Sequence, residues 1–278
     1  MNRFGYVHTV IRHPLTGLNL MFRYVHAVIR HPLTAVAIEI NSHCNRKCLH
    51  CPNHTYDREI AFMDERLYCK IIDELKEMRF EGRLTFTGYS EPLLDKRLLS
   101  FMEYARKRLP HTYIYLNTNG DLLNLSFWEK LRAAGLAHAY VSQYEGRLND
   151  NISKLLSYLE GEEKKHITTR IFDVTKDANN RAGLVKLENK VKLPLKEFCI
   201  QPFNELNINY RGKTVLCCND YLGSVETGDA NHQHIADIWE SQRFRTYRRK
   251  LTFGCRASLE LCNRCDLRES RIVAQMTE

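Results

Sequence analysis

"AVAIEINSHCNRKCLHCPNH", residues 35–54, joins a short apolar run to a loop with three cysteines in eight positions, Cys44, Cys48 and Cys51. The run AVAIEIN (35–41) has the length and apolar content of a strand buried in a sheet. The loop is harder to satisfy. A structural zinc site closes with four ligands, and a disulfide framework takes an even number of thiols. An odd set this tight fits a metal centre that keeps one coordination position open.

Outward from the loop the pattern alternates. A helix is expected over about 63–79, a strand at RLTFTG (83–88), a helix near 95–108 and a strand at TYIYLNTNG (112–120). SFWEKLRAAG (126–135) reads as a helix stopped by Gly135, AHAYVSQ (137–143) as a strand, NDNISKLLSYLEG (149–161) as a helix and HITTRIFDV (166–174) as a fifth strand. Strands alternating with such helices make βαβ units and a parallel sheet. Sites in such sheets form at the C-terminal strand ends. The cysteine loop follows the first strand, and GYSEP, NTNG and SQYEG follow the next three. Four loops therefore share one rim.

After residue 190 the rhythm changes. FNELNINYRGKTVLCCNDY (203–221) reads as a β-hairpin about the turn YRGK, with Gly212 in the turn. IADIWESQRFRTYRRKL (235–251) reads as one amphipathic helix with Ile238, Trp239 and Phe244 facing inward, and the chain then reaches LCNRC (261–265). Cys199, Cys217, Cys262 and Cys265 form a second constellation, suited to stapling a segment poor in apolar residues. Cys218 and Cys255 are extra to that set, and Cys69 lies mid-helix as a core residue.

Across its 278 residues the chain is 44% hydrophobic and 27% charged, an ordinary globular mix. No run approaches the roughly 20 apolar residues of a membrane-spanning helix, and the N-terminus lacks the features of a secretory signal. A cytoplasmic location is expected, where ten cysteines serve metals or cores rather than disulfides. The formal charge of +8 gathers in runs such as RFRTYRRK (243–250) and in residues 1–35, which hold no acidic residue. No nucleic-acid motif accompanies it, so nucleic acid is not the expected partner. YVHTVIRHPLT (6–16) returns as YVHAVIRHPLT (24–34), each copy interrupted by a proline, Pro14 or Pro32. The pair reads as short helices packed on the main domain, or as a basic, aromatic surface that touches a membrane or a partner.

The spacing Cys44–x3–Cys48–x2–Cys51 after the first strand of an α/β barrel resembles the radical S-adenosylmethionine (SAM) enzymes. The resemblance implies a partial (β/α)6 barrel and a [4Fe-4S] cluster held by three thiolates, with the unique iron chelating SAM. In that family the reduced cluster cleaves SAM to methionine and a 5′-deoxyadenosyl radical. GYSEPLL (88–94) stands where the family carries a Gly-Gly-Glu-Pro stretch, which makes Glu91 the acceptor for the SAM amino group, with Ser90 at a position often glycine. His50, before the third cysteine, stands where an aromatic is usual and is placed near adenine. Asn117, Ser142 and Gln143 become candidates for ribose or carboxylate contacts. In NNRAG (179–183), Arg181 is the candidate to reach SAM or substrate.

The later cysteines resemble twitch, a shortened SPASM domain, and imply an auxiliary [4Fe-4S] cluster on Cys199, Cys217, Cys262 and Cys265. The expected divisions are an extension at 1–35, a barrel at 36–190 and a small α+β twitch module, a β-hairpin plus helix, at 191–278. Within the family the resemblance is to the aminocyclitol dehydrogenases. It implies hydrogen abstraction from a carbinol carbon of a sugar or aminocyclitol, loss of the hydroxyl proton, and electron transfer to the auxiliary cluster, leaving a ketone. Arg181, Tyr89 or Tyr144 would take the proton, and an external donor such as flavodoxin or ferredoxin would reduce the SAM cluster. No G-x-G-x-x-G fingerprint calls for a nicotinamide. Three other readings stay open: a sugar epimerase with Cys218 or Cys255 as hydrogen donor, a peptide maturase, and a zinc-stapled binding protein in which His43, His50 or His54 completes the first site.

Overall fold

β1 (Ala35–Ile38) lies inside an eight-stranded sheet of order β5-β4-β3-β2-β1-β6-β7-β8. The computed structural model describes residues 31–187 and 191–268, so the duplicated segment lies outside the described residues except for 31–34. On one side of β1, β2 (Arg83–Phe86), β3 (Tyr113–Thr118), β4 (His138–Gln143) and β5 (Ile167–Ile171) add in parallel. On the other side β6 (Glu205–Ile208) is also parallel, and β7 (Lys213–Val215) and β8 (Glu226–Asp229) continue antiparallel. β5 and β8 do not meet, so the barrel is partial.

Four helices alternate with the first five strands: α1 (Glu65–Glu77), α2 (Leu98–Arg108), α3 (Leu125–Ala133) and α4 (Asp150–Tyr158). Asp64, Asn124 and Asn149 cap α1, α3 and α4 by accepting backbone N–H groups that have no partner within the helix. These elements fall within a few residues of their sequence expectations.

Two features differ from the sequence reading. The helix expected over 235–251 is two helices. After the short α5 (Val174–Asp177) and α6 (Gln201–Asn204), α7 (Ile235–Trp239) stops and α8 (Gln242–Thr252) begins afresh. Ser241 takes an extended backbone conformation there, and its hydroxyl accepts the Phe244 N–H, starting a new helix. Ile238, Trp239 and Phe244 are buried as expected, with the Arg248 guanidinium 3.9 Å from the Trp239 ring centre. Second, β6 pairs directly with β1, Ala35 with Glu205 through Ile38 with Ile208. The C-terminal region therefore supplies the barrel's sixth parallel strand.

The strand period of two divides the sheet. Val36, Ile38, Leu84, Phe86, Ile114, Leu116, Leu206 and Ile208 are all 2% exposed or less and join the core. Each such side chain contributes roughly 1.5–3 kcal/mol by leaving water. The alternate positions, among them Arg83, Tyr115, Asn117, Tyr140, Glu205 and Asn207, line a cavity of about 820 Å³. A one-residue slip in any strand would exchange the two faces. Among the described residues no helix is long and apolar enough to cross a membrane.

Candidate active site

The cysteine loop is braced by charge. Arg46 grips Asp121 at 2.6 and 2.7 Å and reaches Glu145 at 3.1 Å, while Asn45 donates to Asp121 at 2.7 Å. These contacts tie the loop after β1 to the loops after β3 and β4. The Arg46 N–H points at Cys44 Sγ at 3.5 Å, and the Cys51 N–H closes a turn on the Cys48 carbonyl. Cys44, Cys48 and Cys51 all line the large cavity. Burial raises all three thiol pKa values, Cys48 to about 11, and the neighbouring thiols add to the rise at Cys48. Thiols crowded this way keep their protons until a thiophilic metal displaces them.

Glu91 is 2% exposed and caps the turn at Pro92–Leu94. Its carboxylate accepts from the Leu93 N–H at 3.1 Å, the Thr118 hydroxyl at 2.7 Å and the Asn119 N–H at 2.8 Å. Its backbone N–H donates to the His43 carbonyl. Glu91 thus braces the rim besides facing the cavity, and burial raises its pKa to about 6. Gly88 must be glycine for a nearby reason. A Cβ there would stand 2.5 Å from Glu39 Oε1, and Glu39 is held by Arg58 at 2.7 and 2.8 Å and by the Tyr89 N–H.

His50 stacks on Phe172 with ring centres 4.3 Å apart and leans on Tyr144 at 5.0 Å. Burial, then the Arg181 charge, lowers its pKa to about 4, so it is a neutral ring at physiological pH. Among the described residues, three buried polar atoms of the cavity lining complete no hydrogen bond: Asn53 Oδ1, Arg181 Nε and Asn207 Nδ2. An aromatic patch beside three clustered thiols and unpaired polar atoms fits SAM and an iron–sulfur cluster by donor chemistry.

A second, smaller cavity is lined by Cys199, Cys217, Cys262 and Cys265 together with leucines. Burial and the adjoining thiols raise the Cys262 pKa to about 12. Four thiols in an apolar shell suit an iron–sulfur cluster. Cys217 and Gln201 line both cavities, so the two sites share a wall. Cys218 lines the large cavity, Cys255 is exposed, and Cys69 packs against the core.

Arg181 stands between the two. Asn180 staples its loop to the final cysteine pair, donating its side chain to the Arg264 carbonyl at 2.7 Å and its backbone N–H to Asp266 at 2.8 Å. Arg181 and Ala182 both take left-handed backbone angles, φ 47 and 53. Arg181 Nη1 donates to Asn219 Oδ1 at 3.2 Å, and Asn219 Nδ2 donates to Cys265 Sγ at 3.5 Å. Tyr89 reaches across the cavity to donate its hydroxyl to the Cys218 carbonyl at 2.6 Å.

Ser90, Asn117 and Ser142 line the cavity, with Asn117 donating to Thr85 at 3.3 Å. Gln143 is a correction. Neighbours on a strand point to opposite faces, and where Ser142 faces in, Gln143 faces the rim loops, donating to the Asn119 carbonyl and accepting the Asn149 N–H. The three groups expected to act as base are a second correction. Burial raises the Tyr89 pKa well above its ordinary value and the Tyr144 pKa to about 12. Arg181 is held charged. All three keep their protons at neutral pH. The sequence reading missed Arg58, Phe172, Glu205 and Asn207, which strand alternation on the cavity side could have flagged.

Residues 38–157 match the radical SAM superfamily, and residues 199–266 match the SPASM iron–sulfur cluster-binding domain. The chain carries a radical SAM domain and a SPASM domain, and it is an oxidoreductase. The enzyme is 29% identical over 235 residues to the S-adenosyl-L-methionine-dependent 2-deoxy-scyllo-inosamine dehydrogenase of Niallia circulans, a match covering 83% of this chain and 92% of that protein. Its structure resembles the crystal structure of BtrN in complex with AdoMet and 2-DOIA, with a TM-score of 0.79, 28% identity, and coverage of 86% of this chain and 95% of that one. Against BtrN in an open conformation the TM-score is 0.69 at 26% identity, covering 86% and 94%. SuiB of Streptococcus suis, bound to precursor peptide SuiA, shares the fold at a TM-score of 0.53 and 14% identity, covering 87% and 73%. The radical SAM enzyme uses SAM and a [4Fe-4S] cluster, and its SPASM domain binds auxiliary iron–sulfur. That chemistry displaces the zinc-stapled reading.

Proposed function

We propose that this enzyme oxidises a secondary alcohol of an aminocyclitol or a related sugar to a ketone. Cys44, Cys48 and Cys51 hold the cluster that meets SAM, and Cys199, Cys217, Cys262 and Cys265 hold the auxiliary cluster that accepts an electron. The observation that carries the reading is the shared wall: Cys217 belongs to the four-thiol cavity and also lines the cavity of the three-thiol loop. A substrate lying there touches the electron exit as well as the radical source. When bound and reduced, the SAM-side cluster supplies a 5′-deoxyadenosyl radical that removes the carbinol hydrogen atom.

The chain's own residues do the rest. Asn117, Tyr140 and Arg181 offer polar contacts to a polyhydroxylated ring. Arg181, charged and buried beside Asn219, stabilises negative charge as the hydroxyl proton passes to solvent at the cavity mouth, an electrostatic role that needs no proton of its own to move. The Tyr89–Cys218 bond ties the rim to the SPASM domain across the cavity and helps exclude water. The division into extension (1–35), barrel (36–190) and twitch module (191–278), the last lending β6 to the barrel, a flavodoxin or ferredoxin donor, and a cytoplasmic setting complete the proposal.

The test is anaerobic incubation of the iron-loaded enzyme with reductant, SAM and 2-deoxy-scyllo-inosamine deuterated at its carbinol carbons. A product lighter by one deuterium and one hydrogen, with the deuterium recovered in 5′-deoxyadenosine, is expected. A product lighter by about one mass unit only, its carbinol deuterium exchanged for a hydrogen from solvent, would instead point to epimerisation, the second reading, which the Cys218 position in the cavity wall favours. Cys218→Ala would then block turnover.

A further inference from the structure

The inner face of β1 is nearly bare. Ala35 and Ala37 are its first two inward residues, and each lies in register between two polar side chains. Ala35 pairs with Glu205 on β6 and with Arg83 on β2, and Ala37 pairs with Asn207 and Thr85. Adjacent strands lie about 4.8 Å apart, so Glu205 and Arg83 start about 10 Å from each other with only a methyl group between them. Glu205, Arg83, Asn207 and Ala37 all line the large cavity.

Glu205 is the anomaly in this floor. Among the described residues its carboxylate forms no ion pair, whereas the other cavity carboxylates are engaged: Glu39 by Arg58, Asp177 by Arg170, Glu91 by its three donors, and Asp220 by Ser224 and the Val225 N–H. Asn207 stands beside it, 8% exposed, its Nδ2 acting on the carboxylate as a donor without reaching full hydrogen-bond geometry. Burial raises the Glu205 pKa, and Arg83 and Asn207 only partly oppose that rise. A half-buried carboxylate without a cation is still costly to hold, so its partner is expected from a ligand. Glu205 and Arg181 both act electrostatically on Cys218, with opposite sign. A ring bearing an amine and an alcohol would be oriented by that pair, its ammonium toward Glu205 and its carbinol toward Arg181.

We propose that Glu205, with Asn207 beside it, is an ammonium-recognition subsite that restricts this enzyme to cationic amino sugars or aminocyclitols and rejects neutral polyols. The proposal deepens the dehydrogenase reading and rests on it for the choice of probe. The contact itself is a charge-assisted hydrogen bond.

Equilibrium binding to the cluster-loaded, SAM-bound enzyme without reductant tests it, using 2-deoxy-scyllo-inosamine and the cyclitol in which a hydroxyl replaces its amine. The amine is expected to bind at least about tenfold more tightly, and Glu205→Gln to remove that preference while changing the neutral ring's affinity by less than roughly threefold. Equal binding of the two by the unaltered enzyme, binding of neither, or an equal loss for both in Glu205→Gln overturns the subsite. The comparison on unaltered enzyme stands even if the variant does not fold. Ketone and 5′-deoxyadenosine are measured in parallel with reductant. Selective binding of the amine with neither product formed supports the subsite and sinks the dehydrogenase reading. Oxidation of the neutral ring as readily as the amine does the reverse.

Discussion

Asn219 donates its side-chain amide to Cys265 Sγ at 3.5 Å, and its carbonyl oxygen takes a hydrogen bond from Arg181 Nη1 at 3.2 Å. One amide thus links a buried charge in the large cavity to a sulfur of the four-cysteine set. Hydrogen bonds to cluster sulfurs favour the reduced, more negative state. Asn219→Ala should lower the potential of the auxiliary cluster by on the order of 50 mV, close to a tenfold change in a one-electron equilibrium. A redox titration followed by electron paramagnetic resonance measures it. An unmoved potential would confine Asn219 to packing.

The two cysteine sets should separate in their consequences. Cys48→Ala is expected to halve the loaded iron from about eight atoms to about four and to stop 5′-deoxyadenosine release. Cys262→Ala is expected to halve the iron likewise, yet to leave measurable SAM cleavage while ketone formation stops. Iron analysis and chromatography on the same samples check both, and loss of SAM cleavage in Cys262→Ala would contradict the division of labour.

Gly88→Ala tests the rim brace. The added Cβ would meet the Glu39 carboxyl group, which cannot swing away without giving up Arg58 and the Tyr89 N–H. Overpacking at a locked contact costs about 1–3 kcal/mol. Chemical denaturation should show that loss, and Glu39→Ala combined with Gly88→Ala should show less than the sum of the two single effects.

Glu91 gives a pH dependence with a definite sign. Its folded-state pKa of about 6 lies above the ordinary 4.5 because burial disfavours the charged form. The folded state therefore holds the proton more tightly, and this group's stabilising contribution is full below about 4.5 and lost as the pH rises through 6. The melting-temperature difference between the unaltered protein and Glu91→Gln should shrink from pH 5 toward pH 7.5. A difference that grows over that interval would show that the carboxylate is held charged.

Much of the architecture was legible in the chain because its signals are local. Strand and helix periods, the stop at Gly135, and the spacing of Cys44, Cys48 and Cys51 all lie within a few residues of the structure they specify. The break at Ser241 was not, since an amphipathic pattern runs through it unchanged while a hydroxyl cap restarts the helix.

The sequence by itself determined the order of elements, the two thiol sets and the rim on which the first set sits, because ligand spacing and side-chain periodicity act over one or two turns of chain. Only the tertiary structure decided which residues share a surface. Glu205 and Arg83 face each other across Ala35, two strand spacings apart, through pairings between strands far apart in the chain, and neighbours such as Ser142 and Gln143 part company according to which face of β4 is covered. Those outcomes depend on long-range register, which hydrogen bonding between strands sets and no local run of residues encodes.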